Sequence, residues 1–364
     1  MIMKLSVPDY ILSITPYPPG KPVEELQRET GIERTIKLAS NENPLGPSPL
    51  AIKAIQEAAG RVHRYPDGSG YDLVQRLSTH LQVDPQCIVL GNGSDDMIGM
   101  LTRAFLQKGD EAIAGTPSFL MYEIMVRSAG ATLIQVPLKE LAIDLEGFLR
   151  KITPKTRMVF ICNPNNPTGM AVNRKAFEDF LREVPPHVVV VMDEAYIEFA
   201  REPSVARGMD YFDGDFPLVE LRTFSKAYGL AGLRVGYGVM SKEIAGIIHR
   251  VRQPFNVNLL AQLGAVAALE DEAFLKKTVR LTHDGLDFLY KELDKQGITY
   301  FPTQTNFFLI DLKKDADAVF QDLLKHGIIV RSMSSYDYPT TIRINVGLPE
   351  ENRLFIEALK KVLQ

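Results

Sequence analysis

The feature that most constrains this chain is a regular alternation of short apolar runs with longer segments of helical periodicity. The runs are "CIVLG" at 87–91, "EAIAG" at 111–115, "TLIQVPL" at 132–138, "RMVFICN" at 157–163, "HVVVVMDE" at 187–194, "LVELRTFS" at 218–225 and "LRVGYGVM" at 233–240. They are rich in β-branched residues and show little polar alternation, which marks strands buried on both faces. Helical patterns lie between them. "SPLAIKAIQEAAG" opens on Ser48 as a cap and stops at Gly60, and "DMIGMLTRAFLQKGD" follows the first run. The alternation predicts an α/β unit over 36–270, a mostly parallel sheet sandwiched by helices.

Past a helical stretch near 259–296 the pattern changes. "TYFPTQTNFFLIDL" and "TTIRINVGLP" read as strands around the helix "DADAVFQDLLKHG", which predicts a smaller α+β unit over 271–364. Residues 1–35 read as an N-terminal arm, with "TPYPPGKP" followed by the short helical pattern "VEELQRETG" that ends at Gly31. No polar linker separates the parts, so they are expected to pack closely, and the arm fits against either. A chain of 364 residues has room for both units.

Several function classes are argued against. A formal net charge of −4 gives no basic surface for nucleic acid or anionic lipid. The longest apolar run, "VVVVM" at 188–192, is far too short to span a membrane. The opening "MIMKLSVPDYILSITPYPPG" has no long apolar core and does not read as a signal peptide. The two cysteines, Cys87 and Cys162, and the six scattered histidines have no metal-ligand spacing. No metal is expected, and a reduced cytoplasmic setting is.

Open α/β sheets bind ligands at the carboxyl ends of their strands, and four stretches follow predicted strands. "GNGSDD" at 91–96 is a glycine-rich turn feeding a helix N-terminus, which offers N–H groups to a phosphate, although ordinary βα turns look the same. "NPNNPTG" at 163–169 forces a rigid non-helical turn. In "VVVVMDEAY", Asp193 stands where a buried strand ends, so it needs a cationic or N–H partner unless it merely caps a helix; Tyr196 follows three residues on. "TFSKAYGLAGLRVGYG" at 223–238 sets Lys226 and Arg234 among small residues. A lysine beside a sheet and near other cations is depressed in pKa and nucleophilic, and an arginine is a fork for phosphate. Each stretch alone has a plain structural reading. Together they supply a phosphate cradle, an acid for a buried N–H, a phenol, an amide and a lysine. Pyridoxal 5′-phosphate uses all of these, with the lysine held as a Schiff base to its aldehyde.

Asn166, Asp193, Tyr196, Lys226 and Arg234, in that order and at that spacing, resemble the fold-type I pyridoxal-phosphate aminotransferases. More narrowly, "PYPPGKP", "KLASNENPLGPSP", "RYPDG", "NPNNPTG", "DEAYIEF", "TFSKAYGLAGLRVGYG", "RQPFNVN", "GIIVRSM" and "IRINVGLPEEN" resemble the histidinol-phosphate aminotransferases nearly end to end. One departure is Asp96 in "GNGSDD", where that subfamily often has glutamate.

The resemblance implies roles. Lys226 would bear the cofactor and then move the α-proton. Asp193 would pair with the pyridinium nitrogen, and Tyr196 and Asn166 with the phenolic oxygen. Arg234, the Thr223 and Ser225 hydroxyls and the N–H groups of Ser94 and Asp95 would hold the phosphate. Phe119 would stack on the ring. Tyr65 would reach the phosphate from a neighbouring subunit, which implies a homodimer with shared active sites. Arg343 and Arg331, at strand ends of the small unit, would bind the substrate anion. Tyr17 would be a further contact from the other subunit, and Asn43 would line the pocket. The implied reaction is ping-pong amino transfer between L-histidinol phosphate and 2-oxoglutarate, with glutamate as the other partner, in histidine biosynthesis. Alternatives are an aromatic amino-acid aminotransferase, one enzyme doing both, a threonine-phosphate-type decarboxylase, or a non-catalytic cofactor-binding regulator. The last is argued against by the lack of a helix-turn-helix extension ahead of the aminotransferase part.

Overall fold

The computed structural model describes residues 6–17, 20–32, 35–212 and 216–364. Part of the expected proline-rich arm, Pro18 and Pro19, lies outside the described residues. So do residues 1–5, 33 and 34.

The chain first meets a strand at β1 (Ile36–Lys37) and then builds a seven-stranded sheet from β2 (Ile88–Gly91), β3 (Glu111–Thr116), β4 (Thr132–Pro137), β5 (Thr156–Cys162), β6 (Val189–Asp193), β7 (Leu218–Thr223) and β8 (Gly236–Met240). Their order across the sheet is β2-β8-β7-β6-β5-β3-β4. The pairs from β7 through β4 are parallel, while β8 runs antiparallel to both β7 and β2. The connection 224–235 between β7 and β8 holds no crossover helix, and without one a strand returns antiparallel. The run expected from 233 starts later: Leu233 ends a 3₁₀ turn, Ala231–Leu233, Arg234 follows in the left-handed region at φ 56°, and β8 begins at Gly236.

Every residue of β2, β6 and β8 is buried. The pleat sends alternate side chains to two cores. Met158, Phe160, Val189 and Val191 pack under helices Ser94–Phe105, Met121–Ser128 and Lys242–Val251. Val159, Ile161, Val190 and Met192 pack under Leu145–Lys151 and Arg174–Glu183. Each fully buried side chain of this size contributes about 1.5–3 kcal/mol. Only β4, at the edge, alternates exposed with covered residues.

The C-terminal unit is a second sheet, β9 (Thr299–Phe301), β10 (Phe307–Asp311), β12 (Arg331–Ser332) and β13 (Thr341–Asn345), in the order β12-β13-β10-β9, with β11 (Ile328–Ile329) beside it. Helices Glu272–Asp294, Ala316–Lys325 and Pro349–Leu363 cover it. β1 pairs in parallel with β11, and Ile36 and Leu38 enter this core. The chain therefore joins the small unit before it enters the large one, a pairing that two residues of strand give no sequence signal for. The helical stretch at 259–296 is two helices broken at Asp271. Its carboxylate accepts from Phe274 N at 3.1 Å and from Ser48 Oγ at 2.6 Å, while Ser48 caps its own helix.

Candidate active site

The carboxyl ends of β5, β6 and β7, the N-terminus of helix Ser94–Phe105 and the inner face of the small sheet enclose a cavity of about 370 Å³. Thirteen of the fifteen residues singled out from the sequence line it: Tyr17, Ser94, Asp95, Phe119, Asn166, Asp193, Tyr196, Thr223, Ser225, Lys226, Arg234, Arg331 and Arg343.

One end is a cradle of donors. Gly93 sits at φ 87°, and a Cβ there would lie 2.6 Å from Arg234 Nη2. A Cβ on Gly236 would lie 2.8 Å from Ser94 N. Glycine at both positions lets the helix N-terminus and the Arg234 fork approach one point. Thr223 Oγ1 donates to Ser225 Oγ at 3.0 Å, Arg234 Nη1 donates to Ser225 Oγ at 3.4 Å, and Arg234 Nη2 pairs with Asp95 Oδ2 at 3.5 Å. Free N–H groups, the positive end of the helix dipole and a guanidinium together make an anion site.

Asp193 lies deeper, at 2 % exposure. Tyr122 Oη donates to its Oδ2 at 2.8 Å and Ala195 N to its Oδ1 at 3.3 Å. Both donors are neutral, and burial pushes the carboxyl up to about 6. A carboxylate held this way favours a cationic N–H in the cavity before it.

Lys226 Nζ donates to the Ser40 carbonyl at 3.3 Å and stands 5.7 Å from the centre of the Tyr196 ring. Burial, then repulsion from Arg343, lowers it to about 8. Tyr196 Oη accepts from Asn41 Nδ2 at 3.0 Å, and burial raises its pKa, so it keeps a proton to donate.

The far wall belongs to the small unit. Arg331 and Arg343 are direct partners across the antiparallel β12–β13 pair, so both project from one face. Arg343, expected at a strand end, is at the centre of β13. Its guanidinium lies 5.0 Å from the Phe307 ring centre and donates to Asn166 Oδ1 at 2.5 Å and to the Ala39 carbonyl at 3.0 Å. Its buried Nε has no hydrogen-bond partner among the described residues.

Two of the fifteen lie elsewhere. Asn43 does not line the cavity. Its amide donates to the Ala227 carbonyl at 3.0 Å and to Thr278 Oγ1 at 3.1 Å, which ties the Lys226 turn to a helix. Tyr65 is 83 % exposed and stacks on Phe255 at 4.8 Å, outside this chain's cavity. Tyr17, expected as a contact from another subunit, lines the cavity of its own chain. In the helix that follows, Leu26 packs against Ala39, Leu324 and Ile329 of the same chain.

Sequence reasoning missed Asn41, Tyr122 and Tyr336. Asn41 has φ 56°, a conformation asparagine tolerates better than most residues. Tyr122 stands three residues after Phe119 across the start of helix Met121–Ser128, and the two rings meet edge to face at 5.7 Å. Tyr336 is set by a turn with no sequence motif.

Comparison with known proteins adds an independent line. The family model described as aminotransferase class I and II matches residues 33–359. A histidinol-phosphate aminotransferase of Moorella thermoacetica is 47 % identical over 97 % of this chain and 92 % of its own length. One from Desulfotalea psychrophila is 48 % identical, over 100 % and 96 %. Among solved structures, a histidinol-phosphate aminotransferase of Sinorhizobium meliloti in complex with pyridoxal-5′-phosphate superposes with a TM-score of 0.90 at 28 % identity, covering 100 % of this chain and 99 % of that one.

Proposed function

The chain belongs to the class I and II aminotransferases, and from that premise we propose that it moves the amino group of L-histidinol phosphate to 2-oxoglutarate. It is a pyridoxal-phosphate-dependent aminotransferase, and relatives matching it over nearly its whole length are histidinol-phosphate aminotransferases. The observation that carries the substrate reading is the Arg331–Arg343 pair on one face of β12–β13, opposite Lys226. Two forks converging on one point suit a phosphate dianion, and they also accept a carboxylate of glutamate in the second half of the cycle.

When bound, pyridoxal phosphate supplies the electron sink that lets the substrate Cα–H bond break. The residues present fit it: the cradle has room only because Gly93 and Gly236 lack a Cβ, and Asp193 has only neutral donors. In this reading the N–H groups of Ser94 and Asp95, the hydroxyls of Thr223 and Ser225 and the Arg234 guanidinium bind the phosphate. Asp193 holds a proton at the ring nitrogen, Tyr196 and Asn166 bind the phenolic oxygen, and Phe119 lies against the ring. Lys226 Nζ holds the cofactor covalently between turnovers and moves the proton at the substrate Cα. With a pKa of about 8, about a tenth of it is neutral at pH 7, against well under a hundredth of a solvated lysine.

A homodimer accounts for the exposed aromatic face. Tyr65, Phe255, Tyr71 and Val62 are all exposed, and a second copy over them would bring Tyr65 to a neighbouring cradle. We place the enzyme in the cytoplasm, where the buried thiols of Cys87 and Cys162 stay reduced.

The test is a titration of the yellow holoenzyme with L-histidinol phosphate, L-tyrosine, L-phenylalanine and O-phospho-L-threonine, read by the cofactor's visible absorbance. Loss of that absorbance at far lower histidinol phosphate than any competitor supports the reading. Conversion only by the aromatic acids, or CO₂ release from phosphothreonine, overturns it.

A further inference from the structure

Tyr336 belongs to the same wall as the two arginines, and neither the motifs nor the roles given above include it. It ends the 3₁₀ turn Ser334–Tyr336, which follows β12 (Arg331–Ser332) after the single residue Met333. The turn is fixed from within. Tyr336 N and Tyr338 N both donate to the Met333 carbonyl, at 2.9 and 3.2 Å, and Ser332 Oγ donates to Asp317 Oδ1 at 2.5 Å. Met333 itself is fully buried. The ring therefore has a set position over the sheet face that carries Arg331 and Arg343, and it lines the cavity with Tyr17. Its other side meets a groove formed with the loop Thr116–Leu120 of the large unit.

Tyr336 and Arg331 line one cavity, and a guanidinium has only donors to offer a phenol beside it. The phenol oxygen is then the acceptor, and its own O–H is left to point at another acceptor. Burial raises the Tyr336 pKa, so that proton stays on the oxygen across the working range. Arg343 likewise keeps one buried donor, Nε, without a partner among the described residues, after spending two on Asn166 and Ala39. The donors of this wall outnumber what the two oxygens of a carboxylate use. The three terminal oxygens of a phosphate monoester use more of them.

We propose that Tyr336 is a specificity-determining residue, whose hydroxyl donates to the phosphate of the phosphorylated substrate and contributes little to the binding of glutamate. The inference rests on the reading of the substrate as a phosphate monoester, and it predicts which half of the cycle depends on the hydroxyl.

The experiment compares Tyr336→Phe with the wild-type holoenzyme in the two half-reactions, each followed by the cofactor's absorbance. A charge-assisted hydrogen bond is lost on one side only. The concentration giving half-maximal rate should rise about ten- to a hundredfold for L-histidinol phosphate and about twofold or less for glutamate, with both limiting rates unchanged. A purely packing role would move both substrates, or the limiting rates, together, and that result overturns the proposal. An unchanged dependence on histidinol phosphate overturns it too.

Inorganic phosphate, as a competitor of the glutamate half-reaction, provides a second readout. Its inhibition constant should rise by a similar factor in Tyr336→Phe, and no change there sinks the inference whatever the natural substrate is. A wild-type enzyme that ignores histidinol phosphate while phosphate inhibition still depends on Tyr336 would remove the substrate reading and leave the anion-binding role.

Discussion

The ends of β6 and β7 carry charge on both sides, and the two sides behave oppositely. Asp193 and Thr223 face the cavity, where Lys226, Arg234, Arg331 and Arg343 also stand. Their sequence neighbours Glu194 and Arg222 do not line it. Arg222 is held between carboxylates. Its Nε donates to Glu220 Oε1 at 2.7 Å and lies 3.6 Å from Glu194 Oε2, and its Nη1 donates to Glu198 Oε1 at 3.3 Å. Glu194 Oε1 also accepts from Gly208 N at 2.8 Å. The sealed group spends its charge on itself. The cavity group does not: Lys226 has a carbonyl, Asp193 has neutral donors, and Arg343 keeps an orphan N–H. At the end of β6 two neighbouring carboxylates part company, Glu194 in a strut on one side and Asp193 facing a cavity on the other. Charge marks a site where it is left partly unanswered beside open space.

The sharpest way to break this comparison is to remove one cation from each side. Lys226→Ala should abolish the cofactor's lysine-linked absorbance and lower turnover by about 10³-fold or more, since covalent attachment and proton transfer both go. Its melting temperature should stay within a few degrees of wild type in the cofactor-free form. Normal absorbance and turnover in that variant would remove the central role given to Lys226. Arg222→Met should do the reverse. It strands buried carboxylates and should cost about 3–5 kcal/mol of stability, read by urea denaturation. Adding Glu220→Gln should recover part of the loss, because the two residues are in contact. A loss below about 1 kcal/mol in Arg222→Met would mean the cluster is not the sealed strut described.

The cavity side should also show its strain in pH dependence. The folded pKa of Lys226, about 8, lies below its unfolded value of 10.5. Between these values the unfolded chain binds more protons, so the stability of the cofactor-free protein should rise as pH climbs from about 8 to 10. Below pH 8 the full cost of a buried ammonium is present. Lys226→Met should remove the slope and be the more stable protein at pH 7, by about 1–3 kcal/mol. Parallel denaturation curves at pH 7, 8.5 and 9.5 check it, and identical slopes in the two proteins would show that Lys226 titrates normally.

Much of this was readable in the chain. The seven apolar runs became the seven strands of the large sheet, all but the edge strand β4 largely covered on both faces, where β-branched residues leave few alternatives. Lys226 and Asp193 were singled out because one stands just past a strand and the other ends one, where the fold itself makes a crevice, and Arg234 because it shares a small-residue stretch with Lys226. What escaped has a physical reason. The β1–β11 pair is two residues long, too short for periodicity, and it joins positions nearly the whole chain apart. Asn43 and Asn41 share one motif, and only the turn geometry decides which amide reaches Tyr196 and which braces the lysine loop. Tyr17 lines the cavity of its own chain, and no sequence motif marks which chain's cavity an arm residue enters. The sealed cluster was invisible because Arg222 and Glu220, at i and i−2 on β7, share a face that alternation alone leaves unnamed.

The finest test of the comparison is a proton on the sealed side. Arg222 supplies one positive charge to three carboxylates, and Glu194 and Glu220 each keep an Oε2 with no hydrogen-bond donor among the described residues. Burial, then repulsion from Glu220, holds Glu194 well above the usual carboxylate range. A protonated Glu194 would give its O–H to Glu220 and bring the cluster close to balance. In that case the native state binds more protons than the unfolded chain above the ordinary glutamate pKa of 4.5, so stability falls as pH rises through that window. Glu194→Gln mimics the protonated form and keeps a donor. It should change stability by no more than about 1 kcal/mol at pH 6, and it should become the more stable of the two proteins as pH rises to 8. Denaturation curves at both values decide the matter. A loss of several kcal/mol at pH 6 would mean that Glu194 works as a carboxylate, and that the strut depends on charge where this comparison gives it a shared proton.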